Sequence, residues 1–166
     1  MGFNSQIKSK IFKIDDFLTI ENQWKSIGLK IVFTNGCFDI LHLGHIDYLS
    51  KARDLGDKLI IGLNSDESVK RIKGKSRPIQ DENSRAFILA AFGFVDAVIL
   101  FDEDTPYNII SKLLPNVLVK GSDYALNEIV GANLVIASGG IVETINFLDG
   151  YSSSSIINKI IKENIL

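Results

Sequence analysis

Residues 30–53 read KIVFTNGCFDILHLGHIDYLSKAR, and this stretch decides the fold. It begins with the apolar run Ile31-Val32-Phe33, which is typical of a buried strand in a parallel sheet. Thr34-Asn35-Gly36 interrupts the run, and after His42 apolar residues recur at helical spacing. A strand that passes through a glycine-containing turn into a helix is the first unit of a nucleotide-binding α/β sheet. We therefore predict that this turn lies beneath bound phosphates.

His42 and His45 are the two histidines of the chain, and both stand at the start of the predicted helix. Side chains three positions apart project from the same side of a helix. The first turn of a helix also favours anions, through its N–H groups and its dipole. An arbitrary pair of histidines is more often one buried and one surface residue, but this placement favours contact with phosphate.

The rest of the chain alternates between short apolar runs and amphipathic segments. The runs predict strands near residues 30–34, 58–63, 97–101, 117–119 and 141–147. The amphipathic segments predict helices near residues 43–54, 81–94, 105–114 and 128–138, and a last helix after residue 150. This order predicts an α/β fold, a single-domain Rossmann-like, doubly wound sheet of five parallel strands with helices on both faces.

Three segments need separate predictions. Residues 1–166 are expected to form one domain, in which residues 1–29 are an N-terminal arm with a short helix from Phe17 to Ile27 and residues 30–166 are the core. Residues 71–80 are basic, contain Gly74 and Pro78 and lack an apolar period, so they are predicted to be a mobile loop. Thr105 is expected to cap the helix that follows it.

Four polar motifs follow predicted strands directly. They are Thr34 to His45, Asn64-Ser65-Asp66, Lys120 to Tyr124 and Asp149 to Ser155. Because ligands in open α/β sheets bind outside the carboxyl ends of the strands, these motifs are expected to share one site. Gly74-Lys75-Ser76 is not the end of a phosphate-binding P-loop, since that pattern requires glycine where this chain has Val69.

Composition limits the class of protein. The chain has 166 residues, a net charge of −2, 46% hydrophobic and 23% charged residues, as an ordinary globular domain has. The sequence shows no basic surface of the kind that would predict nucleic-acid binding. None of its apolar runs approaches the length of a membrane span. The single cysteine permits no internal disulfide bond. We therefore expect a soluble, cytoplasmic protein without nucleic-acid or membrane partners.

The segment TNGCFDILHLGH strongly resembles the HxGH signature of the cytidylyltransferase-like nucleotidyltransferases. Four further motifs resemble the branch that adenylylates heptose 1-phosphates: Asn64-Ser65-Asp66, Lys73 to Pro78, Lys120 to Tyr124 and Gly150 to Ser155. The resemblance runs from about residue 30 to residue 162. It implies transfer of AMP from ATP to a heptose 1-phosphate, which gives ADP-heptose and pyrophosphate.

Other functions remain open at this stage. The first is a cytidylyltransferase that acts on glycerol 3-phosphate or a similar small phosphate. That branch usually keeps an arginine where this chain has Phe147-Leu148-Asp149, which argues against it. The second is a nucleotide-binding regulatory module without turnover, which the presence of both histidines disfavours. An RNA-charging enzyme with the same HxGH signature is disfavoured by the lack of a basic surface.

The resemblance implies a role for each matching residue. The residues expected in catalysis are His42, His45 and Lys73. The residues expected to bind ATP are Thr34, Asn35, Gly36, Cys37, Phe38, Lys120, Gly121, Asp123, Ser152, Ser153 and Ser154. The residues expected to bind the sugar phosphate are Asp39, Asp66, Lys75, Arg77 and Tyr124. Some have simpler explanations, because Cys37 suits apolar packing, Asp39 and one serine could cap helices, and basic loops are usually only solvated.

No group of Cys, His and acidic residues has the spacing of a zinc site, so no metal ligand is predicted from the protein. Mg²⁺ is expected to enter with the triphosphate of ATP. The expected partners are therefore ATP and a small sugar phosphate. A homodimer is a possible assembly, in which apolar residues of the N-terminal arm cover a partner.

Overall fold

The computed structural model describes residues 2–123, 125 and 128–163. They form an α/β fold whose sheet has six parallel strands in the order β1-β4-β3-β2-β5-β6. The strands are β1 Ile11–Phe12, β2 Ile31–Gly36, β3 Lys58–Asn64, β4 Ala97–Phe101, β5 Val117–Gly121 and β6 Ile141–Ile145. The helices are α1 Phe3–Lys8, α2 Ile14–Ser26, α3 Leu43–Arg53, α4 Asp66–Lys73, α5 Glu82–Ala90, α6 Tyr107–Leu113, α7 Ala132–Ala137 and α8 Ser153–Glu163.

The prediction of five strands was wrong, because the N-terminal segment adds an edge strand. Ile11 and Phe12 pair in parallel with Val98 and Ile99 of β4. The carbonyl of Lys10 also accepts the Val98 amide across 2.8 Å. A strand of two residues has no apolar period, so only the neighbouring β4 edge identifies it. The N-terminal segment is thus part of the sheet.

The order of the strands places the change of direction beside β2. From β2 the chain moves to β3 and β4 on one side, and then returns to β5 and β6 on the other side. In open α/β sheets, the crevice at such a switch point is where ligands bind. Here that crevice lies between the carboxyl ends of β2 and β5.

Alternating side chains of β2 divide the core into two layers. Val32 packs with α3 and α5, whereas Ile31 and Phe33 pack with α2, α6 and α7. Phe17 of α2 is fully buried in the second layer. Leu18 and Trp24 pack against the same layer and are partly buried. Burial of a large apolar side chain stabilises a fold by about 1.5–3 kcal/mol, so α2 is anchored firmly to the sheet.

Several predicted boundaries were wrong. Helix α4 begins after Ser65, whose hydroxyl caps it by accepting the Ser68 amide across 3.1 Å, and it continues to Lys73, into the segment predicted to be a loop. The basic loop therefore begins at Gly74, where φ is +96°. Helix α5 ends at Ala90, four residues earlier than predicted. Thr105 precedes Pro106, the residue at the N-cap position of α6, and that cap has no side-chain hydrogen bond.

Within the described part of the chain, none of the helices has the length and apolar character that crossing a bilayer requires.

Candidate active site

A cavity of about 590 Å³ lies at the carboxyl ends of the central strands. Its size suits a small-molecule ligand. The end of β2 contributes Asn35 and Gly36, and the following turn contributes Cys37 and Phe38. Phe38 has a φ of +45°, and its ring lies 3.0 Å from the position that a Cβ on Gly36 would take. Gly36 therefore allows the turn to fold back closely over the strand.

The two histidines form a stacked pair at the start of α3. Their ring centroids are 3.8 Å apart and their planes meet at 21°. Phe38 contacts the ring of His45 edge-on, with centroids 5.3 Å apart. A Cβ on Gly44 would lie 3.1 Å from Nδ1 of His42 and 3.2 Å from Cβ of Tyr151. The glycine of the HxGH segment thus leaves room for the His42 ring against the last helix.

Both imidazoles are neutral at pH 7 in this environment. Burial and, to a smaller extent, the neighbouring His42 together lower the pKa of His45 to about 4. Burial also lowers the pKa of His42. Nδ1 of each ring is buried and has no hydrogen-bond partner among the described residues. A neutral imidazole carries one N–H, so each ring can donate one hydrogen bond to a ligand oxygen.

Lys120 links the ends of β5 and β2 across the crevice. Its ammonium group donates a hydrogen bond to Oδ1 of Asn35. Burial lowers the pKa of Lys120 to about 8, although Asp123 opposes this change, so Lys120 is mostly charged at pH 7. A Cβ on Gly121 would lie 2.2 Å from Cζ of Phe147 and 2.6 Å from Oδ1 of Asp123. Gly121 therefore lets both side chains close over the strand end.

The amino-terminal end of α8 forms the wall beside β6. The Ser152 hydroxyl caps the helix by accepting the Ser155 amide across 3.0 Å, and Ser153 donates to the carbonyl of Ile40 across 3.0 Å. Ser154 is exposed and lines the cavity together with Ser152 and Ser153. The helix thus starts at the cavity, as α3 does, and two helix N-termini favour an anion there.

The basic segment contributes a further part of the cavity wall. Lys73 is exposed and lines the cavity from the end of α4. Arg77 donates from Nε to Oδ2 of Asp39 across 2.6 Å. The second oxygen of Asp39 accepts the amides of Ile79 and Gln80 across 2.8 and 2.9 Å. Asp39 thereby holds the basic loop against the turn that follows β2.

Arg85 joins the same loop to two strand ends. It is fully buried and donates to the carbonyls of Gln80, Cys37 and Asn64 across 3.0, 2.6 and 2.9 Å. It also forms an ion pair with Asp66 at 2.7 Å. Its contacts identify a structural brace behind the cavity.

Three of the predicted site residues that the structure describes do not line the cavity. Thr34 is buried, and its hydroxyl lies 2.7 Å from the Tyr48 hydroxyl. Asp66 binds Arg85, and Lys75 is exposed on the loop. Tyr124 lies outside the described residues. The other predicted site residues all line the cavity, and their roles stay predictions.

The sequence analysis missed several residues of the cavity wall. Tyr48 lies three positions after His45 on the same side of α3, which was a usable signal. Tyr151 precedes the serine run directly. Asp104 and Thr105 follow β4 and could have been included as another motif at a strand end. Within residues 2–123, 125 and 128–163, no group of three or more His, Cys, Asp or Glu side chains is arranged to hold a metal ion.

Known proteins share both the sequence and the fold. The model of the cytidylyltransferase-like family matches residues 33–159. The chain belongs to the cytidylyltransferase-like family. This confirms the family that the HxGH segment and its accompanying motifs predicted.

Curated relatives of this cytidylyltransferase-like chain include bifunctional proteins HldE. The protein from Geobacter metallireducens is 52% identical over 163 residues, which cover 98% of this chain and 33% of that protein. The protein from Campylobacter jejuni strain RM1221 is 55% identical over 160 residues, which cover 96% of this chain and 32% of that protein. The chain thus spans about a third of the length of these relatives.

Two solved structures resemble this cytidylyltransferase-like fold. The lipopolysaccharide core biosynthesis protein from Thermoplasma volcanium is 34% identical with a TM-score of 0.59, covering 75% of this chain and 100% of that one. The pantoate–β-alanine ligase from Francisella tularensis, solved with βγ ATP and β-alanine, is 19% identical with a TM-score of 0.60. That match covers 92% of this chain and 77% of the ligase, and at this identity it supports the fold alone.

Proposed function

We propose that this chain transfers AMP from ATP to a heptose 1-phosphate and so forms ADP-heptose and pyrophosphate. The observation that carries the proposal is the stacked, neutral pair of His42 and His45 at the start of α3. The pair lies in a cavity with two helix N-termini and the cations Lys73, Arg77 and Lys120. This arrangement suits a reaction in which negative charge is redistributed among phosphate oxygens.

The reaction is a substitution at the α-phosphorus of ATP. An oxygen of the sugar phosphate forms a bond to this phosphorus, and the bond to the oxygen bridging the α- and β-phosphates breaks. The electron pair leaves with pyrophosphate. The attacking oxygen is already anionic, so the protein needs no nucleophile and no strong base. Catalysis then depends on holding the two anions in line and on hydrogen bonds to the developing charge.

Each side chain has a defined part in this proposal. His42 and His45 donate their N–H groups to the oxygens of the transferred phosphate. Lys120 and the serines at the start of α8 hold the β- and γ-phosphates. Lys73 and Arg77 reduce the repulsion between the triphosphate and the sugar phosphate. Mg²⁺ enters as part of the ATP substrate, bound to its triphosphate.

The identity of the sugar as a heptose and of the base as adenine is inferred from sequence similarity rather than from the geometry of the site. The motifs from Asn64 to Ser155 resemble the heptose 1-phosphate branch, and relatives at 52% and 55% identity are HldE proteins. The similar protein from Thermoplasma volcanium is described as a lipopolysaccharide core biosynthesis protein. No described feature favours the cytidylyltransferase alternative, although the fold alone would accommodate it.

The test is pyrophosphate release by the purified chain with Mg²⁺. ATP and CTP are each offered with heptose 1-phosphate and with glycerol 3-phosphate. Release with ATP and the heptose alone supports the proposal down to its substrate. Release with CTP and glycerol 3-phosphate would be consistent with the histidine mechanism, but it would identify the chain as a cytidylyltransferase of the alternative branch. No release with any pair would favour a binding module without turnover.

A further inference from the structure

One wall of the cavity has no role in the function proposed so far. It consists of Asp104, Thr105 and Pro106, which follow β4, together with Ile72 at the end of α4. Asp104 and Thr105 are exposed, and Pro106 is buried. Their position in the sheet and their chemistry both point to a ligand group other than a phosphate.

The sheet order places this wall on the acceptor side of the cavity. β4 is two strands from β2 on one side, whereas β5 and β6 lie on the other side, and α8 follows β6 in the chain. Adjacent strands are about 4.8 Å apart, so the ends of β4 and β2 are separated by roughly 10 Å. His42 and His45, which follow β2, therefore stand between the two walls.

The proposed substitution gives each wall a different ligand. Attacking and leaving oxygens lie on opposite sides of the phosphorus in an in-line displacement. If the α8 serines and Lys120 hold the departing pyrophosphate, the acceptor approaches from the side of Lys73 and Arg77. The part of the acceptor beyond its phosphate then reaches the loop after β4.

The chemistry of this loop fits hydroxyl groups better than a cation. Oδ1 of Asp104 accepts from Nε of Arg71 across 2.6 Å, and Arg71 also donates to the carbonyl of Asp102. The ion pair neutralises much of the charge of Asp104, which weakens its attraction for an ammonium group. Its second oxygen and the Thr105 hydroxyl remain suitable partners for hydroxyl groups.

Apolar residues also line the cavity. Pro106 and Ile129 are both buried and both line it. A sugar ring carries hydroxyl groups at its edge and C–H groups on its faces, so it matches a cavity that has both polar and apolar lining residues. A short polyol has no such face, and an amino alcohol would bring a positive charge to an already compensated carboxylate.

We propose that Asp104 and Thr105 bind hydroxyl groups of the acceptor's sugar ring and so select a sugar phosphate over a polyol or amino-alcohol phosphate. This inference rests on the proposed function, since it assumes an acceptor phosphate beside Lys73 and Arg77. It assigns a specificity role to two residues that the motifs of the sequence do not include.

The test measures binding and turnover separately. Binding of heptose 1-phosphate is measured by calorimetry, with an ATP analogue whose α–β bridging oxygen is replaced by a methylene group and which cannot react. The variants are Thr105→Val, Thr105→Ser and Asp104→Asn. The matched control is Glu103→Gln, because Glu103 stands on the same loop but does not line this cavity. Binding of phosphocholine and glycerol 3-phosphate is measured in parallel.

Thr105→Val and Asp104→Asn are expected to weaken binding of heptose 1-phosphate about ten-fold, the effect of one lost hydrogen bond. Thr105→Ser and Glu103→Gln should retain it, and binding of the ATP analogue should not change in any variant. Unchanged heptose affinity in both Thr105→Val and Asp104→Asn would overturn the inference, as would a wild-type protein that prefers phosphocholine or glycerol 3-phosphate. A wild-type protein that binds the heptose through these residues but releases no pyrophosphate would refute the proposed reaction and leave the subsite standing.

Discussion

Arg77 and Asp39 form an ion pair across 2.6 Å, and only 1% of the Asp39 side chain is exposed. Burial raises the pKa of Asp39. Hydrogen bonds from the Gln80 and Ile79 amides and from Arg77 lower this pKa by a larger amount, so the pKa of Asp39 lies below its usual range. A carboxylate with a lowered pKa stabilises the fold above its unfolded pKa, near 3.9, and this stabilisation is lost as the pH falls through the folded pKa. The pair thus joins the basic loop to the turn that follows β2.

Replacement of Asp39 by asparagine should release the basic loop. The change keeps the shape but removes the charge that Arg77 contacts, so we expect a loss of about 2–4 kcal/mol in the free energy of unfolding. The KM for heptose 1-phosphate should rise more than the KM for ATP. Urea unfolding and steady-state kinetics measure the two effects. Glu67→Gln, which removes a surface ion pair with Lys70, is the control and should cost less than about 1 kcal/mol.

His45→Ala should reduce kcat by about 10²–10³, the usual cost of one hydrogen-bond donor to a developing anion. Substrate affinity should change little, because the lost bond strengthens in the transition state. Initial rates of pyrophosphate release at saturating ATP measure this effect, and an unfolding curve shows whether the variant is folded. Near-normal turnover by a folded variant would remove His45 from the mechanism.

His45→Gln should flatten the dependence of stability on pH. The folded pKa of His45 is about 4, below its ordinary value of 6.5, so the unfolded chain binds more protons between these values. The contribution of His45 to the free energy of unfolding is therefore fully present above pH 6.5. It decreases by on the order of 2 kcal/mol as the pH falls toward 4. Urea unfolding at several pH values should give a smaller slope for the variant. Equal slopes would mean that His45 titrates normally in the folded protein.

Gly44→Ala should separate activity from stability. A Cβ there would lie 3.1 Å from Nδ1 of His42 and 3.2 Å from Cβ of Tyr151, so the His42 ring must move. Alanine stabilises a helix interior by about 1 kcal/mol relative to glycine, which offsets part of the crowding. We expect kcat to fall at least about ten-fold while the unfolding free energy changes by less than about 1.5 kcal/mol. Gly93→Ala is the control, since nothing lies within 4 Å of a Cβ at that position.

Thr34→Val should affect stability more than ATP binding. The Thr34 hydroxyl lies 2.7 Å from the Tyr48 hydroxyl in a buried pair, so valine leaves a buried polar group without its partner. We expect a loss of about 1–3 kcal/mol in the unfolding free energy. A double-mutant cycle with Tyr48→Phe should recover part of this loss. A large increase in the KM for ATP with unchanged stability would instead support the predicted contact between Thr34 and the nucleotide.

Much of the site could be predicted because its motifs follow strands. Asn35 to Asp39, Lys120 to Asp123 and Ser152 to Ser154 each come after an apolar run, and parallel strands bring their carboxyl ends to one edge of the sheet. Asp104 and Thr105 occupy an equivalent position but match no motif of the resembled family. Thr105 was predicted only to cap a helix, because a hydroxyl before proline is a common start of a helix, and Asp104 was given no role.

The sequence by itself determined the alternation of strands and helices, the family and most of the cavity wall. These features follow from local periodicity and from motifs of a few residues, which do not depend on distant contacts. Only the tertiary structure decided that Ile11–Phe12 forms a sixth strand against β4, and that Thr34 pairs with Tyr48. It also decided that Asp39 holds Arg77 and that Arg85 joins two strand ends. Such contacts link residues far apart in the chain, so the packing of the sheet and helices selects each partner.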